Sequence, residues 1–270
     1  MSKEFQFYIV PTPIGNMGDM TIRAVDVLKS VDVIACEDSR VTKKLLNRYE
    51  IPTKLVSYHK FNERERVQFF LDLLNDGKTV ALVSDAGTPL ICDPGSILVE
   101  ELRKNNIKIT SLAGASAIPT FLSQVPRDDE DFAFVGFFPK TEGQISALLQ
   151  KFSHTNLVFY DSPNRLLKTL LYINAFNQAA RVAVGRELTK MFEEIVIDDV
   201  QNLIDYYKKN VLKGEIVAMV YKKESVEFSQ SDLLEKISSL KQKNFGAKDI
   251  STILATLYGL NKNDIYKLII

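Results

Sequence analysis

The stretch V-S-D-A-G-T-P-L-I-C-D-P-G, residues 83–95, decides how the rest of the chain is read. The apolar run 80–83 has the length of a buried strand, and it empties into a loop holding two aspartates, two prolines and two glycines. Glycine and proline give such a loop a fixed path and let a ligand approach the backbone closely. Loops at the carboxyl ends of buried strands are where open α/β sheets bind ligands. Asp85 and Asp93 then make a crevice for a polar or cationic ligand. Alternatively, Asp93 caps the helix that starts near Ser96.

Working outward, F-Q-F-Y-I-V at 5–10 reads as a first strand that Pro11 stops. The turn P-T-P-I-G-N-M-G at 11–18 leads to Asp19, the expected N-cap of an amphipathic helix carrying Ile22, Val25 and Leu28. A second apolar strand at 31–36 ends in Glu37-Asp38-Ser39-Arg40, so the order strand–helix–strand predicts a parallel βαβ unit. The prolines of the 11–18 turn lack the backbone donors that would cradle a phosphate. That turn suits a pocket wall, not a dinucleotide fingerprint. Arg40, Lys43, Lys44 and Arg48 make a basic helix face that is either solvated or set against phosphates. A short strand at 51–57 follows, then a helix opened by Asn62 and closed by Gly77 in the left-handed position. After the opening loop come a helix at 96–105, a strand at 107–112 and the small-residue turn A-G-A-S-A at 113–117.

Five further strand-like segments, at 132–138, 156–160, 181–185, 193–197 and 215–221, predict a second α/β domain with a mixed sheet. Its turns Y-D-S-P-N-R (160–165) and R-E-L-T-K (186–190) follow strands and face a cleft shared with the first domain. The polar stretch at 224–231 reads as a linker to short helices. There Ile250, Ile253, Leu254 and Leu257 form a stripe, Gly259 ends one helix, and Asn261 with Asp264 opens the next. The expected architecture is two α/β domains, residues 1–115 and 116–222, with a cleft between them and a small helical appendage at 228–270.

Composition narrows the partners. Lys plus Arg and Asp plus Glu number 34 each, so no global field marks a nucleic-acid binder, although a local basic patch remains open. No apolar run approaches the roughly 18–20 residues of a membrane helix. The chain opens almost directly on a strand, without a cationic region and cleavage site, so a cytoplasmic protein is expected. Cys36 and Cys92 make neither a disulfide framework nor a metal ligand set, and both are read as small packing residues. His59 and His154 are read as structural.

Taken together, Y-I-V-P-T-P-I-G-N-M-G-D (8–19), C-E-D-S-R (36–40), S-D-A-G-T-P-L-I-C-D-P-G (84–95) and R-E-L-T-K-x-x-E-E (186–194) resemble the tetrapyrrole-methylase superfamily of S-adenosylmethionine-dependent enzymes. The similarity runs through nearly the whole chain and is closer still to the ribosomal RNA branch. It implies 2′-O-methylation of a cytidine ribose in the decoding region of 16S rRNA, in naked RNA or the small ribosomal subunit, by a homodimer. By position it implies cofactor contacts at Pro11, Thr12 and Pro13, at Ser84, Asp85, Ala86, Gly87 and Thr88, and at Asp93, Ser116 and Ala117. Tyr160, Gly185, Glu187 and Leu188 complete that set across the cleft. Three segments depart from the family's pattern: A-G-A-S-A stands where P-G-P-S-A is usual, D-S-P-N-R where E-S-P-H-R is usual, and S-Q-V-P at 123–126 where S-G-L-P is usual.

Methyl transfer to a ribose hydroxyl needs a group that accepts its proton. Glu37, Asp38, Asp85, Glu187 and Lys190 are candidates, Lys190 only with a lowered pKa, while Asp85 is better placed to attract the cofactor's positive charge. Arg23, Arg40 and Arg165, with Lys43 and Lys44, are candidates for gripping RNA phosphates; each arginine reads equally as a structural ion pair. Two other readings stay open: methylation of a tetrapyrrole-like small molecule, and a non-catalytic protein that only binds the ribosome.

Overall fold

A computed structural model of the chain describes residues 5–128, 130–210, 212–223, 230–258 and 260–270, without the side chains of 230 and 231. Most of the expected linker at 224–231, the boundary at 228 and the helix end at Gly259 lie outside the described residues. The chain separates into two compact units, Met1–Tyr221 and Lys222–Ile270. The first contains two lobes, each with its own five-stranded sheet.

In the first lobe, β1 (Phe7–Ile9), β2 (Val33–Cys36), β3 (Lys54–Ser57), β4 (Val80–Val83) and β5 (Ile109–Ser111) lie in the order β3-β2-β4-β1-β5. Every pairing is parallel. The V-I-A-C and V-A-L-V runs of β2 and β4 are buried throughout, as a sheet covered on both faces demands. Asp32 fixes their register: its Oδ2 accepts the Thr79 amide and hydroxyl, each at 2.8 Å, just before Val33 meets Val80. Helices α1 (Ile22–Ser30) and α2 (Ser39–Arg48) pack on one face through Ala24, Leu28, Leu45 and Leu46. Helices α3 (Glu63–Asn75) and α4 (Ser96–Lys104) cover the other through Phe70, Leu74, Leu98 and Leu102.

Two helix starts differ from expectation. Asp19 falls in a single 3-10 turn; the chain extends through the buried Met20, and Thr21 caps α1 by accepting the Ala24 amide at 3.1 Å. Asn62 stands at the start of α3, but its Oδ1 accepts the His59 amide at 2.8 Å and closes the preceding turn instead. Gly77, at φ +75°, ends α3 as expected.

In the second lobe, β6 (Phe132–Phe137), β7 (Asn156–Asp161), β8 (Arg181–Arg186), β9 (Glu194–Asp199) and β10 (Ile216–Val220) lie in the order β6-β7-β10-β8-β9. Only β6–β7 is parallel, so the sheet is mixed. Period-two alternation divides its faces. Leu157, Phe159, Val182, Val184 and Ala218 meet α6 (Glu142–Lys151), α7 (Pro163–Phe176) and α8 (Val200–Lys209). Val158, Ala183, Val217 and Met219 meet α5 (Ala117–Leu122) together with Ile14 of the first lobe. This second, smaller core holds the lobes together.

The second unit consists of α9 (Gln230–Gln242), α10 (Ala247–Tyr258) and α11 (Lys262–Ile269) around Leu233, Ile237, Ile250, Leu254, Ile265 and Ile269. Of the expected stripe, Leu257 points out, 67 % exposed. Asn261 caps α11 by accepting the Asn263 amide at 2.9 Å. Among the described residues no helix is long and apolar enough to cross a membrane.

Gly185 shows how tight the seam between lobes is. A Cβ there would lie 2.7 Å from Phe121 Cδ2 and 3.2 Å from Val217 Cγ1. Its smallness therefore serves α5 packing and not the approach of a ligand. Gly185→Ala is expected to cost about 1–3 kcal/mol by overpacking, read as a lower thermal midpoint, and Gly185→Ala with Phe121→Leu should recover part of that loss.

Candidate functional site

The loops leaving β1, β2, β4 and β5 emerge at one edge of the parallel sheet. Thr12, 2 % exposed, joins two of them. Its amide donates to the Gly87 carbonyl, the Gly87 amide returns a bond to its carbonyl, both at 2.9 Å, and its hydroxyl donates to the Ser84 carbonyl at 3.1 Å. Gly87 needs its freedom here, with φ +79° and Ile14 Cγ2 only 3.3 Å from where a Cβ would be. The Thr88 hydroxyl donates to the Ala115 carbonyl at 3.0 Å and so adds the small-residue turn. Across the gap the R-E-L-T-K turn sits on Gly15. A Cβ there would collide with Lys190 Cγ at 2.4 Å, and the Asn16 amide donates to the Thr189 hydroxyl at 3.0 Å.

These contacts enclose a cavity of about 400 Å³. Asp85, Ala86, Gly87, Thr88, Ile91, Cys92 and Asp93 of the 83–95 loop form one wall, and Ser116 and Ala117 adjoin it. Ile14, Leu188 and the Tyr160-Asp161-Ser162-Pro163 turn face them, with Phe137 of the β6 bulge and Gly214-Glu215-Ile216-Val217 at the head of β10.

Six expected contacts are not on the wall. Pro11, Thr12 and Ser84 are buried behind it as braces, and of their turn Ile14 reaches the cavity while Pro13 does not. Gly185 lies under Phe121. Glu187, at φ +51°, turns back so that its Oε1 accepts the Glu215 amide at 2.9 Å and Lys190 Nζ at 2.8 Å. That oxygen occupies the space of a side chain at Gly214, where a Cβ would lie 2.2 Å away. Conversely, the β10 residues, Ile91, Cys92 and Phe137 were not expected. Cys92 is exposed, unlike the buried Cys36, so it is a wall residue and not packing. Asp93 does not cap α4; Gly95 occupies the cap position, and Asp93 stands on the cavity wall.

The electrostatics separate the candidate acids and bases. Burial pushes the Asp85 and Asp93 carboxyls up from their ordinary value. Burial raises Glu37 too, reinforced by the charges of Asp85 and Asp93. Asp38 behaves oppositely: hydrogen bonds from Arg40 hold it at about 2. Its Oδ1 accepts the Arg40 amide at 2.8 Å, making it the cap of α2, and its own amide donates to Asp85 Oδ1 at 3.1 Å. Glu187 is lowered chiefly by its bond from Lys190. Burial pulls Lys190 down, but the carboxylates of Glu187 and Glu215 outweigh it and the net shift is upward. Lys190 thus lacks the depressed pKa that a lysine base requires. Burial takes the Tyr160 hydroxyl up to about 12.

Arg40, Lys43 and Lys44 are exposed on α2, opposite the buried Thr42, Leu45 and Leu46, and Arg23 is exposed on α1. Arg165 is turned inward instead. Its Nη2 donates to the carbonyls of Phe138 at 2.8 Å and Pro139 at 2.9 Å, and its Nε lies 3.6 Å from Asp161 Oδ1. It ties α7 to the end of β6 and does not present its fork to a phosphate. Among the described residues no group of His, Cys, Asp and Glu is arranged to hold a metal ion.

Residues 6–204 match the family of Tetrapyrrole (Corrin/Porphyrin) Methylases. The chain is 39 % identical over 262 residues to the ribosomal RNA small subunit methyltransferase I of Rickettsia prowazekii (strain Madrid E), covering 96 % of this chain and 92 % of that protein. It is 40 % identical over 267 residues to the protein of that name from Vibrio cholerae serotype O1, with 96 % and 92 % covered. Solved structures share the fold: diphthine synthase, at 14 % identity, has a TM-score of 0.64 over 80 % of this chain and 89 % of that one. A cobalamin biosynthetic enzyme, cobalt precorrin-4 methyltransferase, at 18 % identity, has a TM-score of 0.58 over 80 % and 94 %. The chain therefore belongs to the tetrapyrrole methylases, in the group of the ribosomal RNA small subunit methyltransferase I proteins.

Proposed function

We propose that the protein is an S-adenosylmethionine-dependent ribosomal RNA methyltransferase whose target is the ribose 2′-hydroxyl of a cytidine in the decoding region of 16S rRNA. The observation that carries the cofactor reading is the charge of the cavity wall. Asp85, Asp93, Asp161 and Glu215 line it, and no Lys, Arg or His does among the described residues. Asp161 and Glu215 already face Arg165 and Lys190 from behind the wall, so it is Asp85 and Asp93, whose carboxyls desolvation pushes up, that favour a ligand bringing positive charge. A cavity of about 400 Å³ suits a cofactor of that size, and Ile14, Leu188, Ile216 and Val217 provide apolar surface for its flat base.

When bound, the cofactor supplies a methyl group made electrophilic by a sulfonium. Asp85 and Asp93 hold the positive groups from the 83–95 side, while Ile14 and Leu188 confine the ligand between the lobes. Holding reactants in line is worth roughly 7–11 kcal/mol. Glu37 accepts the ribose proton in this reading. Its raised pKa makes it a better base than Asp38 or Glu187, both of which hydrogen bonds hold down. The Asp38–Asp85 bond sets the start of α2 beside the cavity. Arg40 is held by both carboxylate oxygens of Asp38, so the exposed Lys43 and Lys44 are the α2 cations disposed to take RNA phosphates near its mouth. The same acidic wall opposes the carboxylates of a tetrapyrrole substrate.

The direct test incubates the protein with labelled cofactor and small ribosomal subunits lacking the modification, followed by nuclease mapping. Label at a cytidine ribose is expected; label on a free tetrapyrrole and none on RNA overturns the reading. Asp85→Asn should weaken binding of S-adenosylmethionine by about tenfold and its neutral thioether product much less, measured by calorimetry. Equal losses for both ligands would remove Asp85 from that role. Because only ionised Glu37 accepts a proton, turnover should fall as pH drops through a pKa above the ordinary 4.5. Glu37→Gln should lower kcat by about 10²–10⁴ and abolish that acid limb.

A further inference from the structure

The acid-bearing loops need something to hold them at a fixed separation, and neither carries a side chain that does so for its downstream end. Helix α4 begins at Gly95, two residues after Asp93, without a cap from its own segment. Orphan amides at a helix start need partners. Glu63 of α3 supplies them: its Oε1 accepts the Gly95 amide at 2.8 Å and the Ile97 amide at 3.3 Å. The same oxygen accepts the Tyr58 hydroxyl at 2.9 Å. Glu63 is only 9 % exposed and Tyr58 is fully buried, edge-on to Phe70 at 5.7 Å. The Tyr58 amide in turn donates to the Cys36 carbonyl at 2.8 Å, immediately before Glu37.

We infer that Glu63 is a positioning residue for the cavity. It braces the end of the 83–95 loop against the end of β2, and so sets Asp93 and Glu37 relative to each other without touching the ligand. Its carboxylate stands at the amino ends of α3 and α4 together, where both helix dipoles favour negative charge. Gly95 must be glycine for the brace to form. It sits at φ +137°, with Leu90 Cγ and Leu82 Cδ2 at 3.0 and 3.1 Å from where a Cβ would be. The inference rests on the cavity being the cofactor site, and its test separates the two.

Calorimetry with S-adenosylmethionine on the full chain compares wild type, Glu63→Ala, Glu63→Gln and Leu74→Ala. The last shortens a buried side chain of α3 away from the brace. Glu63→Ala is expected to raise Kd by about tenfold or more, and Glu63→Gln to restore most of the affinity, since its amide oxygen accepts the same bonds. Leu74→Ala should lose thermal stability and keep the wild-type Kd. An unchanged Kd in Glu63→Ala, or an equal loss in Leu74→Ala, overturns the inference. Should Glu63→Ala not fold, Glu63→Asp, one methylene short, carries the same comparison. Hydrogen exchange reads the brace without ligand: amides at 84–97 should exchange faster in Glu63→Ala or Glu63→Asp than in wild type, and unaltered exchange overturns it. Wild-type protein that binds no S-adenosylmethionine overturns the cofactor reading, while exchange still decides the brace.

Discussion

Two backbone hydrogen bonds between Thr12 and Gly87 join the loops after β1 and β4, and the cavity is built outward from that seam. With it closed, Ile14 is aimed into the gap, Asp85 stands beside Asp38, and Gly15 meets the R-E-L-T-K turn of the other lobe. Prolines at 11, 13, 89 and 94 limit the freedom these loops have to lose on ordering. The glycines do the complementary work at Gly87 and Gly95, whose positive φ values other residues adopt only with strain. Rigidity and close approach thus come from the same short segments.

Charge is partitioned as sharply as shape. The acidic groups line the cavity, while Arg40, Lys43 and Lys44 stay on the solvent side of α2. Lys190 and Arg165 lie behind the wall, where each is held by acceptors of its own lobe. A chain of zero net charge therefore presents two local fields of opposite sign. Such an arrangement suits a cationic ligand inside and a polyanion outside, which overall composition does not reveal.

The parts of the sequence that were legible are those where local chemistry dictates the outcome. V-A-L-V has no stable place except a buried strand, and the 83–95 loop follows it to the sheet edge. What stayed hidden depends on contacts distant in sequence. Gly214 to Val217 enter the wall because β10 inserts between β7 and β8, an order that no local pattern encodes. Asp38 looks like a candidate proton acceptor until Arg40 is seen to fold back on it. Glu63 reads as one more charge in a helix's first turn, since the two amides it caps lie more than thirty residues downstream. Asp19 lost the cap to Thr21 because the chain needed Met20 buried before turning into the helix.

The strand order of the first lobe also has a bearing on synthesis. Among the described residues β1 pairs only with β4 and β5, so it remains without a sheet partner until Val80–Val83 is made, and its second neighbour arrives at Ile109–Ser111. Such non-local pairing folds slowly and leaves an apolar edge open while translation continues. The cavity is completed later still, when Gly214 to Val217 supply the last of its wall. Its occupant accordingly meets only chains in which both lobes have formed, and its binding energy adds to the stability of that finished state alone.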